Sequence, residues 1–428
     1  MVNNTSRNLR APSSLRRAHR ALALNEMLMK DGVSRTGLAE ELGLSQMAMS
    51  RIVRDLFDAG LVKESGVEVR ESGPGRRQRM LTIRPDGTYA AAIALSAYAA
   101  EIGIVTADGE VLVSKSLQIQ KTANGKAAIR KLATAVNRMI DAALIPRERI
   151  AGVGIAVAAQ LDPSNLSVVS SYLLDWKPFD LVEEVTSITK LPAYAENIVN
   201  ALTLAEVTVG AIKQKENAFV VRSATTLGAS ILQHDRLVRG LTNPAGRIGH
   251  FQTMKTNLTC SCGSNHCLNC SASGWSVLVR LGRTSGNRYQ PDDIPHYASE
   301  INQLIEQQSD TETQNKEVIK QARIIRSAGS ALAKSLQQLN QFIEPQAIVL
   351  NGSMSRVSAY QKGISQFLET SGEGKATLEK IHYGELRAVR AAGVLALKKT
   401  IYSPNFDFEQ ACESAENTDS NLSAENGA

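Results

Sequence analysis

The residues with the most specific chemistry sit in one short stretch. Gly249–His250 is followed, nine residues on, by Cys260–Ser261–Cys262–Gly263–Ser264–Asn265–His266–Cys267. Four of the five cysteines fall between Cys260 and Cys270. The N-terminus, Met1–Val2–Asn3–Asn4–Thr5–Ser6–Arg7, has no apolar core of the kind an export signal needs. Cysteines this dense in a chain without such a signal point to metal rather than to disulfides. Three thiolates and one imidazole satisfy a tetrahedral zinc ion, so His250, Cys260, Cys262 and Cys267 are the expected ligands. With all four positions taken by protein, none is left for water, and the ion would be structural. His266 and Cys270 are spare donors. Free thiols in a turn are the other reading of the same residues.

A second chemistry is carried by charge. Residues 1–84 hold 15 Lys/Arg and 9 Asp/Glu, a surplus of six that equals the net charge of the whole chain. Residues 85–428 are therefore neutral in sum. A basic segment on a neutral body is the footprint of a nucleic-acid-binding module. The apolar spacing within it reads as three helices. Ser34 and Ser45 are placed to cap the second and third, Gly43 supplies the turn between them, and Gly60 ends the third. Ala39, Met49 and Ile52 provide the small and apolar residues that a helix-turn-helix crossing requires. The outward residues of the third helix, Gln46, Met47, Ser50, Arg51 and Arg54, with Ser45 at its start, would face DNA. After it, Leu61–Val62–Lys63 and Met80–Leu81–Thr82–Ile83 read as strands flanking Gly73–Arg79. Arg76, Arg77 and Arg79 would thus ride on a wing, a position suited to phosphates or a narrow minor groove.

The elements that must position these residues follow from periodicity. Residues 1–17 read as a basic, flexible arm and 18–84 as a winged helix-turn-helix. From Tyr89 onward, strands at Ala90–Ser96, Glu101–Ala107 and Glu110–Gln118 precede a helix from Lys126 and an apolar strand at Ile150–Val157. Strands and helices then alternate, with strands at Ala218–Ser223 and Leu227–Gln233 and a helix near Ser271–Leu281, to a last helix at Leu386–Thr400, an α/β body over residues 85–402. Residues 403–428 hold six acids and no Lys or Arg and read as an acidic, disordered tail. No apolar run is long enough to span a bilayer. With 43% hydrophobic and 21% charged residues, the chain has the composition of a globular protein, expected in the cytoplasm.

The metal stretch, placed after such a body, resembles the ROK family (repressors, open reading frames and kinases). The family pattern is Gly-His, nine residues, Cys-x-Cys-Gly-x-x-x-Cys-Leu and a closing Ser-Gly. Here it reads Gly249–His250, Cys260–Ser261–Cys262–Gly263, Cys267–Leu268 and Ser273–Gly274. The N-terminal winged helix selects the repressor branch, whose members respond to N-acetylglucosamine, glucose or xylose. The resemblance implies a two-lobed actin/sugar-kinase-like (ribonuclease H-like) body, a sugar pocket between the lobes, a homodimer or homotetramer, and a two-fold symmetric double-stranded DNA operator. It implies a non-catalytic regulator of carbohydrate genes, a repressor, with a structural zinc ion.

The resemblance also shows what is gone. The kinases' Asp-Ile-Gly-Gly-Thr falls in the stretch Ala94–Leu95–Ser96–Ala97–Tyr98–Ala99–Ala100, which has neither Asp nor Gly, and Gly-Thr-Gly-Ile-Gly corresponds to Ala224–Thr225–Thr226–Leu227–Gly228. Close backbone approach to phosphate is lost with those glycines. The kinases' Asn-Asp-Ala-Asn, whose Asp removes the sugar proton, reads Asn197–Ile198–Val199–Asn200, and isoleucine cannot accept a proton. At the sugar-contacting positions stand Tyr172, Asn197, Arg247, His250 and Asn269. Three carboxylates have become Ile198, Arg247 and Asn269, which disfavours a neutral hexose. Arg247 would suit an acidic or phosphorylated ligand instead.

Overall fold

The computed structural model describes residues 12–30, 32–68, 78–96, 99–119, 124–162, 164, 166–171, 176–241, 246–307 and 316–404. The expected wing arginines Arg76 and Arg77, the candidate ligand contact Tyr172 and almost all of the acidic tail lie outside them.

The head begins with α1 (Pro12–Met29), so the basic arm expected over 1–17 is helical from Pro12 onward. Pro12 opens the helix at a position where a missing N–H costs nothing. After β1 (Val33–Ser34), α2 (Arg35–Glu41) starts at Ser34, whose side chain accepts from the Gly37 N–H. α3 (Gln46–Asp58) starts at Ser45, which accepts from the Ala48 N–H. Each cap stabilises its helix by about 1 kcal/mol. Gly43 between the helices has φ +62° and Gly60 after α3 has φ +66°, left-handed turns in which glycine is unstrained. Ala39, Met49, Ile52, Val53 and Leu56 are buried, as the helix-turn-helix reading requires. β2 (Val62–Glu68) and β3 (Gln78–Ile83) pair antiparallel, with β1 on the other side of β3.

The head does not hang from a free linker. Its core is continuous with that of the body: Leu24, Met27 and Leu28 belong to the same buried cluster as Ala201, Leu202 and Ala205. The Asn25 side chain donates to the Tyr402 carbonyl at 3.0 Å, tying α1 to the far end of the chain.

The body has two lobes. In the first, β4 (Tyr89–Ser96), β5 (Ala99–Thr106), β6 (Val111–Gln118), β7 (Ile150–Val157) and β10 (Ala193–Asn197) form one sheet in the order β10-β7-β4-β5-β6. A short hairpin of β8 (Gln160–Leu161) and β9 (Val168–Ser170) follows β7. Helices α4 (Gly125–Ala142) and α5 (Leu181–Thr189) cover one face, while α6 (Ile198–Val209) and the terminal α13 (Ala388–Lys399) cover the other. α13 presses so close that a Cβ on Gly154 would lie 1.7 Å from the Ala392 carbonyl oxygen. The second lobe carries β11 (Ala218–Ser223), β12 (Leu227–Gln233), β13 (Arg236–Leu237), β14 (Ala347–Asn351) and β15 (Ile381–Tyr383), in the order β13-β12-β11-β14-β15.

The expected single helix near Ser271–Leu281 is two pieces, α7 (Asn269–Ala272) and α8 (Gly274–Arg280), broken where Ser273 turns to cap the second. Helices α9 (Ile294–Glu306), α10 (Lys316–Ile343), α11 (Ser358–Thr370) and α12 (Gly374–Leu378) complete the lobe. Among the described residues, no helix is long and apolar enough to cross a membrane.

Candidate functional site: a metal loop beside an interlobe cavity

Two glycines seat the metal loop on the sheet. Gly246 has φ +89°, and a Cβ there would lie 1.8 Å from the Ala229 carbonyl oxygen. The Ala229 N–H bonds the Gly246 carbonyl at 2.7 Å, so the chain enters the loop flush against β12. Gly249 is just as tight, with Asn269 Nδ2 and the Leu227 carbonyl oxygen both 2.6 Å from a hypothetical Cβ. His250 is thereby fixed at the end of a single 3-10 turn, Ile248–His250.

The loop then folds back on itself through Thr253 N–H to His266 carbonyl (2.6 Å) and Cys260 N–H to Ser264 carbonyl (2.9 Å). Gly263, with φ +88°, makes the knuckle between Cys262 and Cys267. The result brings together the four residues expected from the sequence. The ligating atoms of His250, Cys260, Cys262 and Cys267 all lie within 4.8 Å of one another. His250 Nδ1 is 3.7 Å from the sulfurs of both Cys260 and Cys267, and the Cys262 and Cys267 sulfurs are 3.4 Å apart. A tetrahedral ion with metal–sulfur bonds of about 2.3 Å separates its sulfurs by about 3.8 Å, so the donor set fits a metal ion with little adjustment.

The two spare donors separate cleanly. His266 is not part of the cluster. Cys270 is buried behind it and lies outside the set of four, its sulfur donating to the Ser264 carbonyl at 3.9 Å.

His250 faces two ways. Its ring joins the metal cluster through Nδ1, and the residue also lines a cavity of 180 Å³ between the lobes. The first lobe contributes Ala159, Asn197, Ile198 and Asn200, and the second contributes Arg222, Gly228, Arg247, Asn269 and Tyr289. Ile198 stands at this wall in the place expected from the sequence, and among the described lining residues there is no Asp or Glu.

The expected ligand contacts divide on inspection. Arg247 and His250 line the cavity with exposed or half-exposed side chains. Asn197 lines it too, but its carbonyl oxygen caps α6 through the Val199 N–H and its amide donates to the Ala159 carbonyl at 3.0 Å. Asn269 is buried, its oxygen accepting from the Leu227 N–H at 2.9 Å and its amide approaching the Cys260 sulfur at 3.9 Å. These two asparagines hold the walls in place with most of their hydrogen-bonding capacity.

Sequence reasoning missed two groups here. Arg222, in the middle of β11, reaches the cavity. Tyr289 does so from beyond the metal loop, anchored by its N–H to the Thr259 carbonyl at 3.0 Å. An arginine inside the apolar run Ala218–Ser223 was the available signal for the first; nothing local marks the second.

On the head, Gln46, Met47, Arg51 and Arg54 are exposed along α3, and Ser50 is half-buried. Met47 is 69% exposed, and Arg51 reaches its sulfur at 3.9 Å. Ser45 spends its hydroxyl on the helix cap. Arg79 pairs with Glu64 at 2.5 Å. Arg16 and Arg20 both pair with Asp55, clamping α1 to α3, so part of the head's basic surplus is neutralised internally.

Comparison with known proteins places these features. The model of the ROK family matches residues 90–399. The "Xylose repressor" of Bacillus subtilis is 24% identical over 286 residues, covering 66% of this chain and 73% of that protein. The "DNA-binding transcriptional dual regulator NagC" of Escherichia coli is 23% identical over 323 residues, covering 76% and 77%. A ROK family transcriptional regulator described as a homolog of E. coli MLC protein superposes with TM-score 0.71 at 20% identity, covering 94% of this chain and 100% of that one. A ROK family glucokinase from Streptomyces griseus, solved with glucose and AMPPNP, superposes with TM-score 0.56 at 20% identity, covering 73% and 98%.

Proposed function

The chain belongs to the ROK family, and from that premise we propose that it is a cytoplasmic, DNA-binding transcriptional regulator of carbohydrate-related genes, acting as a repressor through a non-catalytic body. The observation that carries this reading is the exposed face of α3: Gln46, Met47, Arg51 and Arg54 stand outward on a helix capped and packed as the second element of a helix-turn-helix. In a head of this kind the first residues of the helix reach base edges in the major groove, and the following arginines meet phosphates. Arg76, Arg77 and Arg79 would add wing contacts. A homodimer or homotetramer would present two heads to a two-fold symmetric operator.

The body supports sensing rather than catalysis. Ile198 stands where the family's kinases carry their proton-accepting Asp, and no Asp or Glu is among the described lining residues. His250, Cys260, Cys262 and Cys267 would hold a zinc ion, the metal favoured by a closed set of three thiolates and one imidazole. That ion's role is to fix the loop that presents His250 and Arg247 to the cavity. A sugar-like ligand there would touch both lobes. Helix α6 begins at the cavity wall with Asn197 and Ile198 and packs against α1 of the head, so it offers a route from ligand to DNA.

A coupled ADP-release assay on the full-length protein with Mg-ATP and a panel of hexoses separates a regulator from a sugar kinase that has gained a head. No turnover with any sugar is expected; sustained turnover with one would overturn the reading.

A further inference from the structure

We infer that the interlobe cavity takes a small polyhydroxylated oxyanion, a sugar bearing a phosphate or a carboxylate, and that Arg222 is its inner anion contact. This deepens the sensing role proposed for the body and rests on it. The inference starts from how the cavity's charges are paired. Arg222 lies on β11, flanked by Gly228 on one neighbouring strand and Asn351 on the other. Among the described residues its side chain makes no hydrogen bond and no ion pair, while burial pulls its guanidinium below the usual arginine range. A half-buried guanidinium with five donors and no acceptor is costly to keep, and proteins rarely keep one without a partner.

Among the described residues, the cavity lining offers neutral amide and hydroxyl oxygens but no anionic acceptor of its own. No carboxylate lines the cavity among the described residues. The nearby Glu196 is committed: its oxygens accept from Arg239, from the Asn197 N–H and from the Asn200 amide. The other polar groups are donors or can act as donors. Arg247 and His250 line the same cavity. The Tyr289 hydroxyl is buried without a well-formed hydrogen bond among the described residues, and burial pushes its phenol up, against a smaller opposing effect of the Thr225 side chain. A phenol held protonated this firmly can donate to an oxyanion. A guanidinium, a second arginine, an imidazole and a phenol converging without a carboxylate match an oxyanion and disfavour a cation. The asparagine and glutamine amides at the other wall, Asn200 and Gln160, suit the hydroxyls of a sugar.

The test is calorimetric titration of the full-length protein with glucose 6-phosphate, glucuronate and glucose, repeated on Arg222→Met, with melting temperatures recorded without ligand. At least one of the two anionic sugars should bind roughly tenfold or more tightly than glucose, and Arg222→Met should lose that advantage. Which anion binds tells phosphate from carboxylate. Without ligand the variant should melt at the same temperature or higher, since it removes an unpaired buried charge.

Three results would each overturn the inference. They are glucose binding as tightly as both anions, neither anion binding at millimolar concentration, and Arg222→Met melting several degrees below the parent, which would make Arg222 a packing residue. Affinity for genomic DNA is read separately on the same preparations. Its loss in the parent protein would fall on the proposed regulatory function and leave the anion site standing.

Discussion

The metal loop and the cavity beside it share His250, yet they treat their polar groups in opposite ways. In the loop every sulfur has company: Cys260, Cys262 and Cys267 converge with His250 Nδ1, Cys270 donates to the Ser264 carbonyl, and Asn269 brackets the loop to Leu227. In the cavity, among the described residues, the Arg222 guanidinium has no ion pair and the Tyr289 hydroxyl no well-formed hydrogen bond. A group satisfied from within contributes to stability. A costly group left unsatisfied is kept for something that arrives from outside. The difference therefore separates what holds the molecule together from what it responds to, and it can be broken by mutation.

The largest effect belongs to the loop. Cys260→Ser and Cys267→Ser should each abolish stoichiometric zinc, read by metal analysis, and cost several kcal/mol of stability, seen as a melting temperature lower by roughly 5 °C or more. Unchanged metal content and unchanged melting in both variants would defeat the metal assignment. Next comes Asn269→Ala. It leaves the Leu227 N–H unpaired in the interior and should cost about 1–3 kcal/mol. If Asn269 were instead mainly a ligand contact, melting would hold and only ligand affinity would fall.

These two asparagine and cysteine sites also show what was legible beforehand. The metal set could be read because its ligands are close in sequence and their spacing is itself the geometry. The caps at Ser34 and Ser45, the turn at Gly43 and the buried face of α3 were readable for the same local reason. The strands Ile150–Val157, Ala218–Ser223 and Leu227–Gln233 have the bounds that their apolar runs predict. What local patterns cannot convey is a partner brought in from elsewhere. Asn197 and Asn269 hold a place where the family contacts sugar, but here their hydrogen bonds go to Val199, Ala159 and Leu227. Arg16 and Arg20 count as basic charge in the sequence and are paired with Asp55 in the fold. Helices α5 and α11 lie outside the expected elements although their buried residues recur at helical spacing, Leu181, Glu184 and Val185 in one and Tyr360, Gly363, Ile364 and Leu368 in the other. Arg222 was passed over because a continuous apolar strand draws attention to its core and not to its one charge.

The recognition helix extends the comparison: among the described residues the Gln46 and Arg54 side chains make no hydrogen bond or ion pair, while Arg51 reaches only the Met47 sulfur, at 3.9 Å. Arg54→Ala and Gln46→Ala should leave stability within about 0.5 kcal/mol of the parent, because both side chains are exposed. Arg54→Ala should weaken DNA binding on all sequences and reduce the salt slope by about 1, whereas Gln46→Ala should relax sequence preference, both measured by fluorescence anisotropy. A large loss of stability in either would move α3 from the open class to the satisfied one.

The smallest effect calibrates the satisfied class at the surface. Hydrogen bonds from Lys126, and next from Arg130, hold the Glu184 carboxyl below its ordinary range against the cost of burial. A depressed carboxylate adds stability above its unfolded pKa and loses it as the pH falls through the folded one. Both cations are more than half exposed, so Glu184→Gln should cost no more than about 1 kcal/mol at neutral pH. The cost should vanish in acid, below the folded value, as denaturant titrations at the two pH values would show.

The central claim is that the outward face of α3 reads DNA. Its most direct measurement is a genome-wide map of the sites bound by the full-length protein, with the Arg51→Ala/Arg54→Ala double variant as the comparison. The account predicts a small set of two-fold symmetric sites beside carbohydrate genes, lost in the variant while its fold is kept. No enrichment above the non-specific background, or the same sites bound equally by the variant, would contradict it.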